Sequence, residues 1–346
     1  MNKHILVTGG AGYIGSHVVK QLLESKHEVT ILDNLSTGFS STIDTLKNVA
    51  KKNSATLHFI ELDLADKIAV ENVFKNKIEK DGVIYDSVIH FAASLIVPQS
   101  VTNPIDYYLN NTVNGTNLIK MCITYGVKRF IFSSTATVYG NVSEDDIPIH
   151  EGVAISPINP YGHTKQMIEQ ILSDSSNAYE NFSYVVLRYF NVAGADKDGQ
   201  IGQSTENATH LIKVAAQAVL GQRESVSVFG QDYSTEDGTC LRDYIHVDDL
   251  ADAHIKALEY LSNGNESNIF NCGYGHGFSV YDVLNRMKKV SGVNFNVIDS
   301  PRRDGDPDIL IADSAKIRNK MNWNPKYDDL EYICKTALNW EKSLLQ

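Results

Sequence analysis

The chain of 346 residues lacks any apolar run approaching the ~20 residues that a membrane-spanning helix needs. It enters Ile5-Leu6-Val7 without a basic-then-apolar leader, so no secretion signal is expected. Cysteine is scarce. Cys122, Cys240, Cys272 and Cys334 form no Cys-x-x-Cys pair and no metal-ligand spacing, so reduced packing thiols in a cytoplasmic protein are expected, with no metal centre. Basic excess is lacking too. With 31 Lys and Arg against 42 Asp and Glu the net charge is −11, which argues against nucleic acid or an anionic membrane as partner. An anionic ligand would have to be met by a few local cations. No repeat or low-complexity tract interrupts the chain. What remains is 42% hydrophobic and 21% charged, an ordinary globular composition, long enough for a large core and two lobes.

Near the start, the apolar run Ile5-Leu6-Val7 is followed by Gly9-Gly10-Ala11-Gly12-Tyr13-Ile14-Gly15 and a helical pattern through Val18, Val19, Leu22 and Leu23. Strand, glycine turn and helix in this order suit a dinucleotide. The glycines let backbone approach a pyrophosphate, and the helix start around Tyr13 and Ile14 offers N–H groups and a positive dipole end. Both Gly10/Gly12/Gly15 and Gly9/Gly12/Gly15 fit the spacing. A second strand, Val29-Thr30-Ile31-Leu32, ends in Asp33, eighteen residues after Gly15, where a carboxylate can take a ribose 2′-hydroxyl. No Lys or Arg lies between Asp33 and Leu46 to meet a 2′-phosphate, which favours NAD over NADP.

Candidate strands at 4–8, 28–32, 57–61, 87–91, 129–134 and 184–189 alternate with helical patterns, notably 104–125 and 160–178. This alternation predicts a Rossmann-like, doubly wound parallel α/β sheet. Ligands on such sheets bind beyond the carboxyl ends of strands. Asp63-Leu64, Phe91-Ala92-Ala93 and Ser133-Ser134-Thr135 stand at those ends, as cofactor contacts or as plain strand exits. Tyr161 and Lys165 are one helical turn apart. Alone, the pair fits a solvated helix face. Beside a cationic cofactor, Lys165 would favour the phenolate and make Tyr161 a base.

These segments, with Leu32-Asp33-Asn34-Leu35, Tyr107-Tyr108-Leu109-Asn110-Asn111, Phe132-Ser133-Ser134-Thr135-Ala136-Thr137-Val138-Tyr139-Gly140, Asn159-Pro160-Tyr161-Gly162, Leu187-Arg188-Tyr189-Phe190-Asn191-Val192-Ala193-Gly194-Ala195 and the run from Glu236 to Val247, resemble the extended short-chain dehydrogenase/reductase family and, within it, the UDP-glucose 4-epimerases. The resemblance covers nearly the whole chain. It implies an NAD-binding Rossmann domain over 1–190 and a smaller C-terminal α/β lobe binding the UDP-sugar over 191–346, with the chain crossing back around 240–260. It implies reversible C4 epimerisation of UDP-glucose and UDP-galactose through a transient 4-keto sugar, with NAD tightly held. Tyr161 would be the base, Lys165 would hold the nicotinamide ribose, and Thr135 would bond the sugar 4-oxygen. Asn34, Asn111 and Phe190 would complete the NAD site. Asn191, Leu211, Val228, Phe229, Arg242, Arg303 and Asp306 would hold the UDP-sugar, with Arg302 left to solvent. The resemblance also implies a homodimer paired through the helices at 104–125 and 160–178, whose apolar positions include Leu118, Met121, Cys122, Tyr125, Met167, Ile168, Ile171 and Leu172.

Three positions depart from the family pattern: Leu95 where many epimerases carry Lys, Thr209-His210-Leu211 where some carry Asn-Asn-Leu, and Leu310 where the narrow glucose/galactose enzymes carry Tyr. Leu310 lacks the ring and hydroxyl of Tyr, so room for a 2-acetamido group, and activity on UDP-GlcNAc and UDP-GalNAc, is expected. The competing readings are a dehydratase or decarboxylase of the same family, a ketoreductase that exchanges its cofactor, and a non-enzymatic NAD-binding regulator. Dehydratases place Asp-Glu after the active-site Thr, whereas Ala136-Thr137 follows Thr135 here.

Overall fold

A computed structural model describes residues 3–205, 209–303 and 306–345. The chain forms two compact units, one of Met1–Gly140, Ala154–Arg188 and Ala251–Phe270, the other of Asn141–Val153, Tyr189–Leu250 and Asn271–Gln346. The second unit thus takes in 141–153, upstream of the expected boundary at 190. The return to the first unit covers 251–270.

In the first unit, β1 (His4–Thr8), β2 (Glu28–Asp33), β3 (Leu57–Glu61), β4 (Ser87–His90), β5 (Arg129–Ser133) and β6 (Ser183–Tyr189) pair in parallel. The sheet order is Asn268–Cys272, β6, β5, β4, β1, β2, β3. This edge strand, the last of the seven in sequence, was not among the strands expected from the sequence. Every residue of β1 and β4 is buried, because helices cover both faces of a parallel sheet. The helices are α1 (Tyr13–Glu24), α2 (Ser40–Asn53), α3 (Lys67–Asp81), α4 (Val97–Thr102), α5 (Pro104–Tyr107), α6 (Asn114–Tyr125) and α7 (Pro160–Ala178). The helix expected over 104–125 is therefore not one regular helix: a π-helical segment, Tyr108–Val113, joins α5 to α6. In the second unit, Leu241–Arg242 lies between Phe278–Ser279 (antiparallel) and Ile309–Leu310 (parallel), and Ser225–Phe229 pairs with Asn296–Ser300. Asp243 ties this unit together: its buried carboxylate accepts the N–H groups of Tyr274, Gly275 and Ala312. No helix among the described residues is long and apolar enough to cross a membrane.

Candidate active site

The glycine loop closes where β1 meets α1. Gly9, not Gly10, takes the left-handed conformation (φ +73°), and a Cβ there would lie 2.6 Å from the Ala92 nitrogen. A Cβ on Gly15 would strike the backbone of Gly9 and Gly10, so α1 can start this close to β1 only with glycine. Gly12 differs. Its Cβ would meet only the Gly9 oxygen, at 3.3 Å, with open space otherwise, and as N-cap it brings no side-chain oxygen to the helix start. Asp33 ends β2 facing this loop: Oδ2 accepts the Ala11 N–H and Oδ1 the Leu35 N–H, each at 2.9 Å. Burial pushes its carboxyl up, against the pull of those two N–H groups. Asn34 Nδ2 donates to Asp63 Oδ2 at 2.8 Å, joining the ends of β2 and β3 beside the buried Leu64. Phe91-Ala92-Ala93 follows β4, and the Phe91 ring packs 4.7 Å from that of His254. Asn111 spends its amide on protein: Oδ1 accepts the Ser94 N–H, and Nδ2 donates to the Ser94 carbonyl and to Thr164 Oγ1. It braces the loop after β4 against α7.

Asn159 and Pro160 start α7. The Asn159 side chain accepts the Gly162 N–H at 2.9 Å, and Pro160 fits the first turn, where no N–H is needed. Tyr161 and Lys165 follow, 7% and 4% exposed, which excludes the solvated-face reading. Lys165 Nζ donates to the Ser133 carbonyl at 2.8 Å and lies 5.9 Å from the Tyr161 ring centre and 4.8 Å from that of Phe132. Burial pulls its pKa down to about 8, against the opposing pull of Glu169 one turn further on. His90 is held neutral, its pKa pushed down to about 3 by burial and then by Lys165. Thr135 caps the short helix Ala136–Tyr139, its Oγ1 accepting the Thr137 N–H at 3.1 Å. Behind these residues lies a buried network. Ser134 Oγ donates to Glu169 Oε1 at 2.5 Å, Glu169 takes the Arg188 guanidinium in two-pronged fashion, and Arg188 Nη1 donates to the Tyr139 hydroxyl at 3.0 Å.

The second unit carries the remaining expected residues. Phe190 is buried; Asn191 and Leu211 line a small cavity, open to solvent, together with His210 and the buried pair Lys213–Glu341. His210 is engaged by the Gln203 amide at 2.8 Å. Val228 is wholly buried, backbone included; Phe229 faces the other way, as strand alternation requires. The Arg303 guanidinium stacks 3.8 Å above the Phe229 ring, and among the described residues it has no carboxylate partner. Arg302 instead stacks on Tyr233 and pairs with Asp232 at 2.6 Å. Arg242 pairs with Asp306 and also donates to the carbonyls of Leu241 and Asp308. Leu310 stands opposite Arg242 in the strand register.

A family model, the NAD dependent epimerase/dehydratase family, matches residues 5–273. The chain belongs to that family. It is 46% identical over 342 residues to a UDP-glucose 4-epimerase of Azospirillum brasilense, spanning 99% of this chain and 93% of that one. Among solved structures, a UDP-Glc/GlcNAc 4-epimerase from Campylobacter jejuni is 51% identical with a TM-score of 0.84, covering 99% and 100% of the two chains. A UDP-glucose 4-epimerase from Bifidobacterium longum, in complex with NAD+ and UDP, is 35% identical with a TM-score of 0.89, covering 98% of each.

Within this family member, Leu95 is 49% exposed and offers no charge at the position where many epimerases carry Lys. Sequence reading missed Glu169 and Arg188. The Tyr161, Lys165, Glu169 spacing of four places Glu169 on the same helix face and was a usable signal. Nothing local marked Arg188, whose pairing with Glu169 depends on how α7 lies against β6.

Proposed function

We infer that this chain is a UDP-glucose 4-epimerase, interconverting UDP-glucose and UDP-galactose, with NAD as its resident cofactor. The observation that carries this reading is Tyr161 buried one turn from a Lys165 whose ammonium is pinned to the Ser133 carbonyl. The chain fits NAD: the space at Gly12 admits a pyrophosphate, and Asp33 is held by two N–H groups with lone pairs to spare for ribose hydroxyls. When bound, NAD supplies a two-electron acceptor that returns the electrons in the same turnover. Tyr161 removes the proton of the sugar 4-hydroxyl and later gives it back. The Lys165 charge favours the phenolate that this needs, and Thr135 Oγ1 orients the 4-oxygen. Arg303 meets the diphosphate. Arg242 does so by exchanging Asp306 for phosphate, which leaves Asp306 to a ribose hydroxyl. Anchoring the UDP lets the ketone turn over without leaving. The absence of an acid–base pair after Thr135 disfavours a dehydratase. The test is product analysis after incubation with UDP-glucose and no added cofactor: UDP-galactose is expected, and a dehydrated or reduced sugar would refute the reading.

Lys165 acts as a cation, so rate is expected to fall as pH rises through about 8, where its proton leaves. The charged and titratable neighbours in play are Tyr161, Glu169 and the neutral His90. Glu169→Gln removes the carboxylate that supports the ammonium, so the alkaline limb of kcat/KM should move to lower pH. Loss of the buried pair with Arg188 should also cost about 3–5 kcal/mol of stability. A pH–rate profile with a parallel melt checks both, and an unmoved limb would rule out the charge coupling.

The same reading includes a homodimer. Leu118, Cys122, Ile168 and Leu172, named from the sequence for this face, are core residues at 2% exposure or less. The uncovered apolar stripe is instead Ile105, Leu109 and Val113, spaced by four and 66%, 54% and 39% exposed, with Met167 of α7 reached by Thr112 Oγ1 at 3.9 Å. A second copy covering this stripe is the arrangement we propose. Leu109→Glu should halve the mass seen in light scattering; an unchanged mass would discard this face.

A further inference from the structure

We propose that His4, Glu28 and His58 form a binding site for one divalent cation of the zinc class, at the end of the sheet opposite Asp33. The register builds the cluster. His4 on β1 stands opposite Glu28 on β2, and Thr30, two residues along the same face of β2, stands opposite His58 on β3. Glu28 Oε1 lies 3.1 Å from His4 Nδ1 and 3.1 Å from His58 Nε2, and the three ligand atoms are all within 4.8 Å of one another. Ligands at zinc bond lengths around a tetrahedral ion sit roughly 3.3 Å apart. His4 is the deciding residue. Its side chain is 10% exposed, and Nδ1 makes no hydrogen bond although the carboxylate oxygen is near. Its other nitrogen, Nε2, is 2.7 Å from Thr30 Oγ1, a partner that fixes the ring as outer contacts fix metal-binding histidines. A buried nitrogen 3.1 Å from a carboxylate oxygen and not bonded to it is a pair that a shared cation would satisfy. Two imidazoles and one carboxylate suit zinc better than magnesium or calcium, which prefer all-oxygen sets. Lys77, the nearest competing cation, is tied to Asp81 at 2.5 Å. The bound ion would clamp the edge strand β3 to β1 and β2, a stabilising role separate from the chemistry at Tyr161.

The experiment uses the full chain, stripped with chelator, then given zinc chloride, with magnesium chloride as control. Expected are one zinc per chain after desalting, a melting temperature raised by zinc but not by magnesium, and visible absorption bands of a four-coordinate site with cobalt(II). His58→Ala and Glu28→Gln alter partly exposed side chains and should keep the zinc-free melting temperature, while weakening zinc binding at least tenfold. UDP-glucose turnover should be unaffected by either. An unmodified chain that holds no zinc, or both variants binding zinc as the parent does, would overturn the proposal.

Discussion

Tyr161→Phe should lower turnover of UDP-glucose by about 10²–10⁴-fold, the range general-base catalysis usually supplies. The substitution removes one oxygen from a ring that is already buried at 7% exposure and leaves its packing in place. The glycine loop, Asp33 and the Lys165–Ser133 bond are untouched, so NAD released on denaturation should match the parent. Measuring turnover and bound NAD together separates loss of a base from loss of the cofactor. Activity within tenfold of the parent would remove Tyr161 from the role of base.

Leu310→Tyr carries the second large effect. Leu310 sits partly buried in the short strand Ile309–Leu310, in register with Arg242, which the proposed function puts at the diphosphate. On that reading the position lies near the sugar C2, and Leu leaves volume that Tyr would fill. The parent is expected to epimerise both UDP-glucose and UDP-GlcNAc. The variant should lose on the order of 100-fold in kcat/KM for UDP-GlcNAc, since a filled pocket discriminates by excluded volume, while changing severalfold for UDP-glucose. No measurable turnover of UDP-GlcNAc by the parent, or an equal loss on both substrates, would sink the assignment.

Much of the site was legible because its signals are local. Glycine spacing and two residues four apart are each read within one turn or one loop. The ambiguity between Gly9 and Gly10 was not legible, because it turns on which backbone approaches Ala92, eighty residues away. Val228 and Phe229 were read together, yet strand alternation sends one into the core. Of the apolar helix positions, Leu118, Cys122, Ile168 and Leu172 pack into the core, and periodicity alone does not separate a core stripe from a dimer face. Ile105 in α5, and Leu109 and Val113 in the π segment Tyr108–Val113, are the exposed apolar residues there.

Order of elements, the dinucleotide turn and the Tyr161–Lys165 pair were determined by the sequence itself, since short-range sterics and periodicity are written in neighbouring residues. The edge strand Asn268–Cys272, the Glu169–Arg188 pair, the Arg242–Asp306 pair and the meeting of His4, Glu28 and His58 were decided only by the tertiary structure. Each joins residues 19 to 80 or more positions apart or fixes which strands are neighbours. Such contacts depend on strand register and helix packing, which follow from burying the whole core at once rather than from any one segment.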